Sequence, residues 1–240
     1  MSIDKIYTVD GSGERPFEFN TTVADVFSDM LNRSIPGYRQ IIEQIGIFST
    51  KFAVDNTNIY DLGASLGAAS LSVKRSIRKN CKIISVDNSE AMVARCKSAL
   101  SRDNSNVDFE VIESNIEDIK ISNASIVILN FTLQFINPQI RKKIISTIYD
   151  GLIDGGVLIL SEKIKFDDND KSEYYDSLYY DFKRANGYSE LEISRKRDAL
   201  ENVLIRDTAT IHVDRMKKCG FRKVDEWFSY LNFSSFLALK

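Results

Sequence analysis

The sequence is short of the residues that staple, coordinate or kink a chain: 3 cysteines, 1 histidine, 3 prolines and 1 tryptophan in 240 residues. Cys81, Cys96 and Cys219 are widely spaced with no histidine pair beside them, which excludes a zinc knuckle or a disulfide framework. No metal is expected. The lone His212 falls in a stretch of helical pattern, where packing outweighs a catalytic pairing with an aspartate. No apolar run approaches the ~20 residues of a membrane span and no signal-peptide core opens the chain, so no membrane partner is expected and the compartment reads as cytoplasmic. The formal net charge is −2, without a Lys/Arg tract. A surface lacking such a tract cannot displace many counterions from a phosphate backbone, so direct nucleic-acid binding is not expected either.

What is present is alternation. The stretch Asn58 to Gly67, N-I-Y-D-L-G-A-S-L-G, ends an extended apolar run at Asp61 and places Gly63 two residues later. Leu66, Ala69, Val73 and Ile77 then repeat at helical spacing, giving strand, glycine turn, helix. Such a turn offers backbone N–H groups to a ligand, and Gly63 removes the side chain that would block its approach. A dinucleotide fingerprint needs a G-x-G-x-x-G run and its acid about 20 residues on. Here the middle glycine is missing and the acid precedes the first glycine, which opposes a nicotinamide dehydrogenase. A strand-to-helix turn can also need a glycine for structural reasons alone.

Met1 to Pro16, with Gly11 and Gly13, reads as a loose polar arm. Val23, Val26, Phe27, Met30 and Leu31 form one helical stripe, and Ile41, Ile42, Ile45 and Phe48 another, with Pro36 placed in the first turn of the second helix. Residues 1–52 are therefore expected to be an arm and a helical lid beside the glycine turn. Tyr38 is either a cover for a ligand or ordinary packing. Residues 53–240 form the α/β unit. Strands are expected at 82–86, 107–112, 125–129 and 157–160, the last entered through a Gly155-Gly156 turn. Helices fall at 90–100, capped by Ser89, and at 141–152. A polar, tyrosine-rich helical insertion at about 165–205 lies over the sheet edge. A helix capped by Asp207 ends at Gly220. The last two strands, 224–230 and 233–239, are joined too tightly for a parallel crossover and must pair antiparallel. The expected fold is α/β, a doubly wound and mostly parallel seven-stranded sheet with an antiparallel C-terminal hairpin.

Ligands of open α/β sheets sit beyond the carboxyl ends of the strands. Four ends carry polar groups: Asp61 with Gly63; Asp87 with Asn88; Asn115 with Ile116; and Asn130. A carboxylate at Asp87 can accept both hydroxyls of a ribose, and an amide beside an apolar side chain at Asn115-Ile116 suits an adenine edge and face. Each could be a turn or cap residue, Asn115 most readily, but four in order fit an adenosyl ligand.

The D-x-G-x-x-x-G form at Asp61 resembles motif I of the class I S-adenosylmethionine-dependent methyltransferases, in which the acid lies near the ligand's amino group. Taken with V-D-N-S-E-A-M, V-I-L-N-F-T-L-Q-F, L-S-E-K, D-F-K-R-A-N-G-Y-S-E-L-E-I-S-R-K-R and N-F-S-S-F-L-A-L-K, the chain from about Phe19 to Lys240 resembles the carboxy-S-adenosyl-L-methionine synthase family. The resemblance implies a homodimer that converts S-adenosyl-L-methionine and prephenate into carboxy-S-adenosyl-L-methionine and phenylpyruvate. In that reaction the carbon dioxide lost by prephenate is captured by a sulfonium ylide. The product is the carboxymethyl donor for the tRNA wobble uridine. Ligand contacts implied by matching motif are Tyr38, Gly63, Ala64, Ser65, Asp87, Asn88, Asn115, Ile116, Asn130 and Arg197. The chain departs from the family pattern at Ala64, where the family has cysteine, and at Ser114-Asn115-Ile116, where it has G-D-I. Arg197 in S-R-K-R is either a planar clamp for the new carboxylate or part of a solvated helix face with Arg195 and Lys196. The competing activities are a methyltransferase acting on a small molecule or RNA, and a non-catalytic adenosyl-binding module.

Overall fold

The computed structural model describes residues 3–8 and 16–240. Helices α1 (Thr21–Ser34) and α2 (Tyr38–Phe52) precede the first strand. Strand β1 (Thr57–Leu62), α3 (Ala68–Ser76), β2 (Cys81–Asp87), α4 (Glu90–Ser101), β3 (Asp108–Glu113), β4 (Ala124–Asn130), α5 (Pro138–Gly151) and β5 (Leu152–Lys163) then alternate. After α6 (Asn169–Ala185), α7 (Glu190–Leu200) and α8 (Ala209–Lys218), the chain closes with β6 (Lys223–Tyr230) and β7 (Phe233–Leu239). All seven strands form one sheet in the order β3-β2-β1-β4-β5-β7-β6. The pairs among β1 to β5 are parallel, and β7 runs antiparallel to both β5 and β6. The expected sheet is the observed one.

Burial follows from the period of two along each strand. On one face Leu62, Val86, Val127, Leu129, Leu158 and Leu160 pack against Ile144, Ile145 and Ile148 of α5 and Met216 of α8. On the other, Ile59, Ile83, Ile126, Ile128 and Ile159 meet Ile41 and Ile45 of α2 and Ala69 and Val73 of α3. A strand covered on both faces cannot alternate polar and apolar residues, which is why β4 is buried from Ala124 to Leu129.

Several local expectations give way. The first residues are not loose where they are described: Asp4 and Tyr7 are buried. The Asp4 carboxylate accepts a hydrogen bond from Tyr188 Oη at 2.7 Å, and its backbone N–H donates to Asp29 at 2.8 Å. Gly11 and Gly13 lie outside the described residues. Pro36 sits in the turn before α2, whose N-cap is Gly37 at φ 72°, not inside the helix. Strand β5 begins at Leu152 rather than after the glycines. Its register against β4 jumps from Ala124–Leu152 to Ile126–Val157, so residues 153–156 bulge out, with Gly155 at φ 77°. In the insertion, Tyr179 and Phe182 of α6 pack on Phe233 and Tyr230 at the sheet edge, while α7 packs against the 3–10 turn Ile6–Thr8.

Asp207 does not cap α8; Thr208 does. Its carboxylate is drawn instead to Arg215 at 2.6 Å and to the fully buried Arg141 at 2.7 Å. Arg141 also donates to the carbonyls of Ile136, Gln134 and Ile205. Burial alone would raise the Asp207 pKa, but its two arginine partners outweigh that and lower it.

Beside this cluster His212 is buried against Phe236, with Nε2 lacking a partner among the described residues. Desolvation and the neighbouring Arg215 lower its pKa to about 4. The folded ring is therefore neutral when the unfolded one, at ~6.5, begins to charge. Stability tied to His212 is present above pH ~6.5 and is lost as pH falls toward 4. Between pH 7 and pH 4.5, urea denaturation should show wild type losing about 2–3 kcal/mol more than His212→Phe. Parallel pH profiles for the two proteins would refute this.

Candidate active site

One cavity of about 570 Å³ opens at the carboxyl ends of β1, β2 and β4, and its walls include Tyr38, Asp61, Gly63, Ala64, Ser65, Asp87, Asn88, Asn115, Ile116 and Asn130. That volume is in the range of small-molecule sites. The four strand-end groups, separated by many residues in sequence, thus share one space because parallel strands deliver all their carboxyl ends to one side. Phe27, Met30, Leu31 and Ser34 of α1 close it from above, with Leu200 of α7.

The glycine turn is specified by backbone and carboxylate together. Gly63 and Gly67 have φ of 78° and 82°, and Ser65 joins them at 49°. A Cβ at Gly63 would overlap the Thr132 side chain, whose hydroxyl donates to the Leu62 carbonyl at 2.9 Å. Gly63 therefore serves close packing of two loops as well as its backbone angle. Asp61, fully buried, accepts from the Ser70 N–H and hydroxyl at 3.0 and 2.6 Å. Desolvation raises its pKa to about 6, against those two donors. Asp87 accepts the Ser65 N–H at 2.8 Å and the Ser89 N–H at 3.0 Å, so its side chain is fixed before any ligand arrives. Its pKa is also raised, by burial, with the Ser89, Ser65 and Asn88 N–H groups opposing. Next to it Asn88 donates to Asn115 at 3.0 Å, joining the ends of β2 and β3.

At β4 the Asn130 Oδ1 is buried and has no partner among the described residues. A buried acceptor without a donor is costly unless a ligand supplies one. Directly after it Phe131 adopts φ 61°, a conformation rare for a large side chain. Tyr38 tilts toward the Phe131 ring with centroids 6.5 Å apart, and burial with Asp61 nearby holds its phenol well above the usual range. Its side chain packs on Phe131 and also lines the cavity.

The structure separates one expected residue from the rest. Arg197 is 59% exposed and bonds its neighbours Asp198 and Ser194, while the wall position on α7 belongs to Lys196. Helical geometry sends adjacent residues in different directions, and within one chain Arg197 does not reach the cavity. Sequence reasoning also passed over Glu162, Lys163, Gln134 and Thr132. Glu162 is fully buried, with one carboxylate oxygen accepting the Leu133 N–H at 2.8 Å and the other the Gln134 N–H at 2.9 Å. Burial pushes its pKa to about 8 while those two donors and Arg141 pull it back. A glutamate two residues beyond the apolar run Val157–Leu160 was the available signal.

Among the described residues no group of three or more His, Cys, Asp or Glu side chains could hold a metal ion, and no helix is long and apolar enough to cross a membrane. The sheet order and the acidic glycine turn are those of the class I methyltransferase fold. A profile of the methyltransferase domain matches residues 59–156. An O-methyltransferase family protein from Burkholderia thailandensis superposes with TM-score 0.68 at 14% identity, covering 95% of this chain and 64% of that one. Much closer in sequence are the carboxy-S-adenosyl-L-methionine synthases of Shewanella sp. strain ANA-3 and Shewanella baltica strain OS155. Each is 52% identical over 100% of this chain and 99% of its own length. The chain belongs to the carboxy-S-adenosyl-L-methionine synthase family.

Gly63→Ala should therefore strain the turn and press on Thr132, weakening S-adenosylmethionine binding at least tenfold by calorimetry. Asp87→Ala, which deletes a fixed acceptor, should cost about 1.5–3 kcal/mol of the same affinity per lost bond, and about 1–3 kcal/mol of urea stability because the Ser65 and Ser89 N–H groups lose their acceptor. Unchanged affinity in Asp87→Ala would remove that carboxylate from the site.

Proposed function

We propose that the enzyme makes carboxy-S-adenosyl-L-methionine from S-adenosyl-L-methionine and prephenate, as a homodimer, supplying the carboxymethyl donor for tRNA wobble uridine modification. The observation that carries this reading is full-length similarity, at 52% identity, to proteins bearing that synthase name. The ledger of atoms is simple. Prephenate gives phenylpyruvate, carbon dioxide and hydroxide; the methyl group gives up a proton, which the hydroxide takes as water; and the methyl carbon bonds the carbon dioxide.

The chain's own residues bind and orient. Asp87 receives the ribose hydroxyls on a carboxylate already held by Ser65 and Ser89, while Asn88 tethers the neighbouring Asn115. Asn115 and Ile116 take the adenine, edge and face. With its Oδ1 held by Asn88 at 3.0 Å, Asn115 turns its amide N–H outward, and that group's bond to Asp118 is long at 3.5 Å. Asp61 and the orphaned Asn130 oxygen accept from the ligand's amino group. The turn at Gly63, Ala64 and Ser65 borders the chain between; its own N–H groups are held by the Val86 carbonyl and the Asp87 carboxylate, which sets its shape before a ligand arrives. Ala64 acts through its backbone, so losing the family's cysteine there is tolerated. No histidine lines the cavity, and hydroxide leaving prephenate serves as the base.

Arg197 clamps the new carboxylate through two parallel hydrogen bonds. Because it is exposed and turned from its own cavity, a second copy of the chain delivers it, and the product site is complete only in the dimer. Arg197→Lys keeps charge but loses the planar fork. Paired calorimetry should find affinity for the carboxylated product reduced by about 1.5–3 kcal/mol, tenfold to a hundredfold, with much less change for S-adenosyl-L-methionine. Equal losses for both ligands would make Arg197 a general structural residue. The reaction itself is read by mass: wild type with S-adenosyl-L-methionine and prephenate should yield a species one carboxyl group heavier. Methyl transfer to another acceptor with no such species would favour the methyltransferase alternative.

A further inference from the structure

Beyond the four strand ends, the cavity continues over β5 and β7, and there its wall carries a cation. Lys163 is the last residue of β5, paired with Phe233 of β7. Its ammonium stands 4.0 Å from the centre of the Tyr179 ring and 5.9 Å from that of Phe233. Ring faces attract a cation but accept no strong hydrogen bond. Among the described residues the ammonium has neither a hydrogen-bond acceptor nor an ion-pair partner. The one carboxylate placed to help, Asp176, is engaged elsewhere: Arg206 donates to both its oxygens at 2.7 and 3.0 Å, and Asn232 adds a third bond at 2.7 Å. The other wall lysine, Lys196, by contrast donates to Ser34 at 3.1 Å and lies 3.9 Å from Asp4. Burial, with Arg206 and Lys183 nearby, lowers the Lys163 pKa to about 7 against the pull of Asp176. A half-buried cation on a concave wall without a counterion is costly, and a cavity that keeps one is prepared for an anion.

Position excludes the nucleoside end of the first ligand. The adenosyl-binding groups sit at β3, β2, β1 and β4, whereas β5 lies two strands from β1, roughly 10 Å at the spacing of neighbouring strands. Around Lys163 the surface is aromatic, made by Tyr179, Phe233 and Phe131, which suits a six-membered carbon ring.

We propose that Lys163 binds a carboxylate of prephenate, an assignment that rests on the reaction proposed above. Of the two carboxylates, the partner is the one on the pyruvyl side chain. The ring carboxylate departs as carbon dioxide, and a cation paired with it would hold the reactant more tightly than the transition state in which that charge disperses. The pyruvyl carboxylate keeps its charge throughout and is retained in phenylpyruvate.

Lys163→Met keeps the apolar stem against Tyr179 and removes the charge. With S-adenosyl-L-methionine present, its KM for prephenate and its Kd for phenylpyruvate should both rise about 10- to 100-fold, the worth of one charge-assisted hydrogen bond. Affinity for S-adenosyl-L-methionine should stay within twofold, which also reports an intact fold, and Lys163→Arg should recover part of the loss. An equal loss for S-adenosyl-L-methionine would give Lys163 to that ligand's own carboxylate. A loss confined to carboxy-S-adenosyl-L-methionine would give it to the new one. Unchanged prephenate and phenylpyruvate constants would leave it a packing residue, and each of these three results overturns the proposal. The reaction is tested apart from this, by the mass of the wild-type product. Product formed equally well by Lys163→Met leaves the reaction standing and removes the lysine. Loss of phenylpyruvate binding in the variant, beside a wild type that forms no carboxylated product, leaves the lysine and removes the reaction.

Discussion

The cavity depends on how the chain leaves β4. After Asn130 it must turn out of a sheet covered on both faces, and the N–H groups of Phe131, Leu133 and Gln134 lose their strand partners where water cannot replace them. Each is met: Phe131 donates to the Ser161 carbonyl at 2.7 Å, and the buried Glu162 carboxylate takes the other two. Three unmet buried donors would cost several kcal/mol, comparable to the whole stability of a domain. Gln134 extends the network. Its side-chain oxygen accepts the Lys163 N–H at 3.0 Å, and its carbonyl accepts from Ile205 and from Arg141. One carboxylate and one amide thereby fix the β4 loop, the end of β5 and the return of the helical insertion.

Everything with chemistry hangs from those points. Thr132 is held over Gly63, so the β1 turn and the β4 loop set each other's position. Asn130 is pinned with its oxygen unpartnered, and Phe131 is held at positive φ with its ring between Tyr38 and Phe233. Strain of this kind persists only where surrounding bonds over-determine the backbone. Here they do, and the strained residue separates the polar ends of β1 to β3 from the aromatic, cationic end of the cavity.

The sheet was legible because its signals are local: apolar runs of strand length, helical stripes between them, and a hairpin too short to cross over. The polar strand ends were legible because a parallel sheet gathers its carboxyl ends whatever the loops do. Legibility failed where partners are distant in sequence. Asp207 has the type and place of a helix cap, yet Arg141, 66 residues away, takes its carboxylate while Thr208 does the capping. Asp4 lies in a polar stretch that reads as a loose arm until Tyr188, 184 residues on, donates to it. Lys196 and Arg197 are alike in S-R-K-R, and only the seating of α7 turns the first inward and the second outward. Glu162 and Lys163 lie just beyond the expected strand 157–160, and nothing in their neighbourhood announces that the loop after β4 folds back on them.

On the proposed reaction, the charge layout of the cavity becomes an argument about order. Carboxylates Asp61 and Asp87 line the adenosyl side, and ammonium groups of Lys163 and Lys196 line the other. A sulfonium placed between them is attracted from one side and repelled from the other, and Lys163, already unpaired, repels most directly. A dianion entering the cationic side relieves both problems at once: it pairs the lysine and screens the sulfonium. Each substrate then makes the site more hospitable to the other, which by linkage is positive coupling between them. An ordinary methyl acceptor without a carboxylate would leave Lys163 unpaired and the sulfonium unscreened. The cationic wall therefore complements an anionic second substrate, the form in which the carbon dioxide would be delivered.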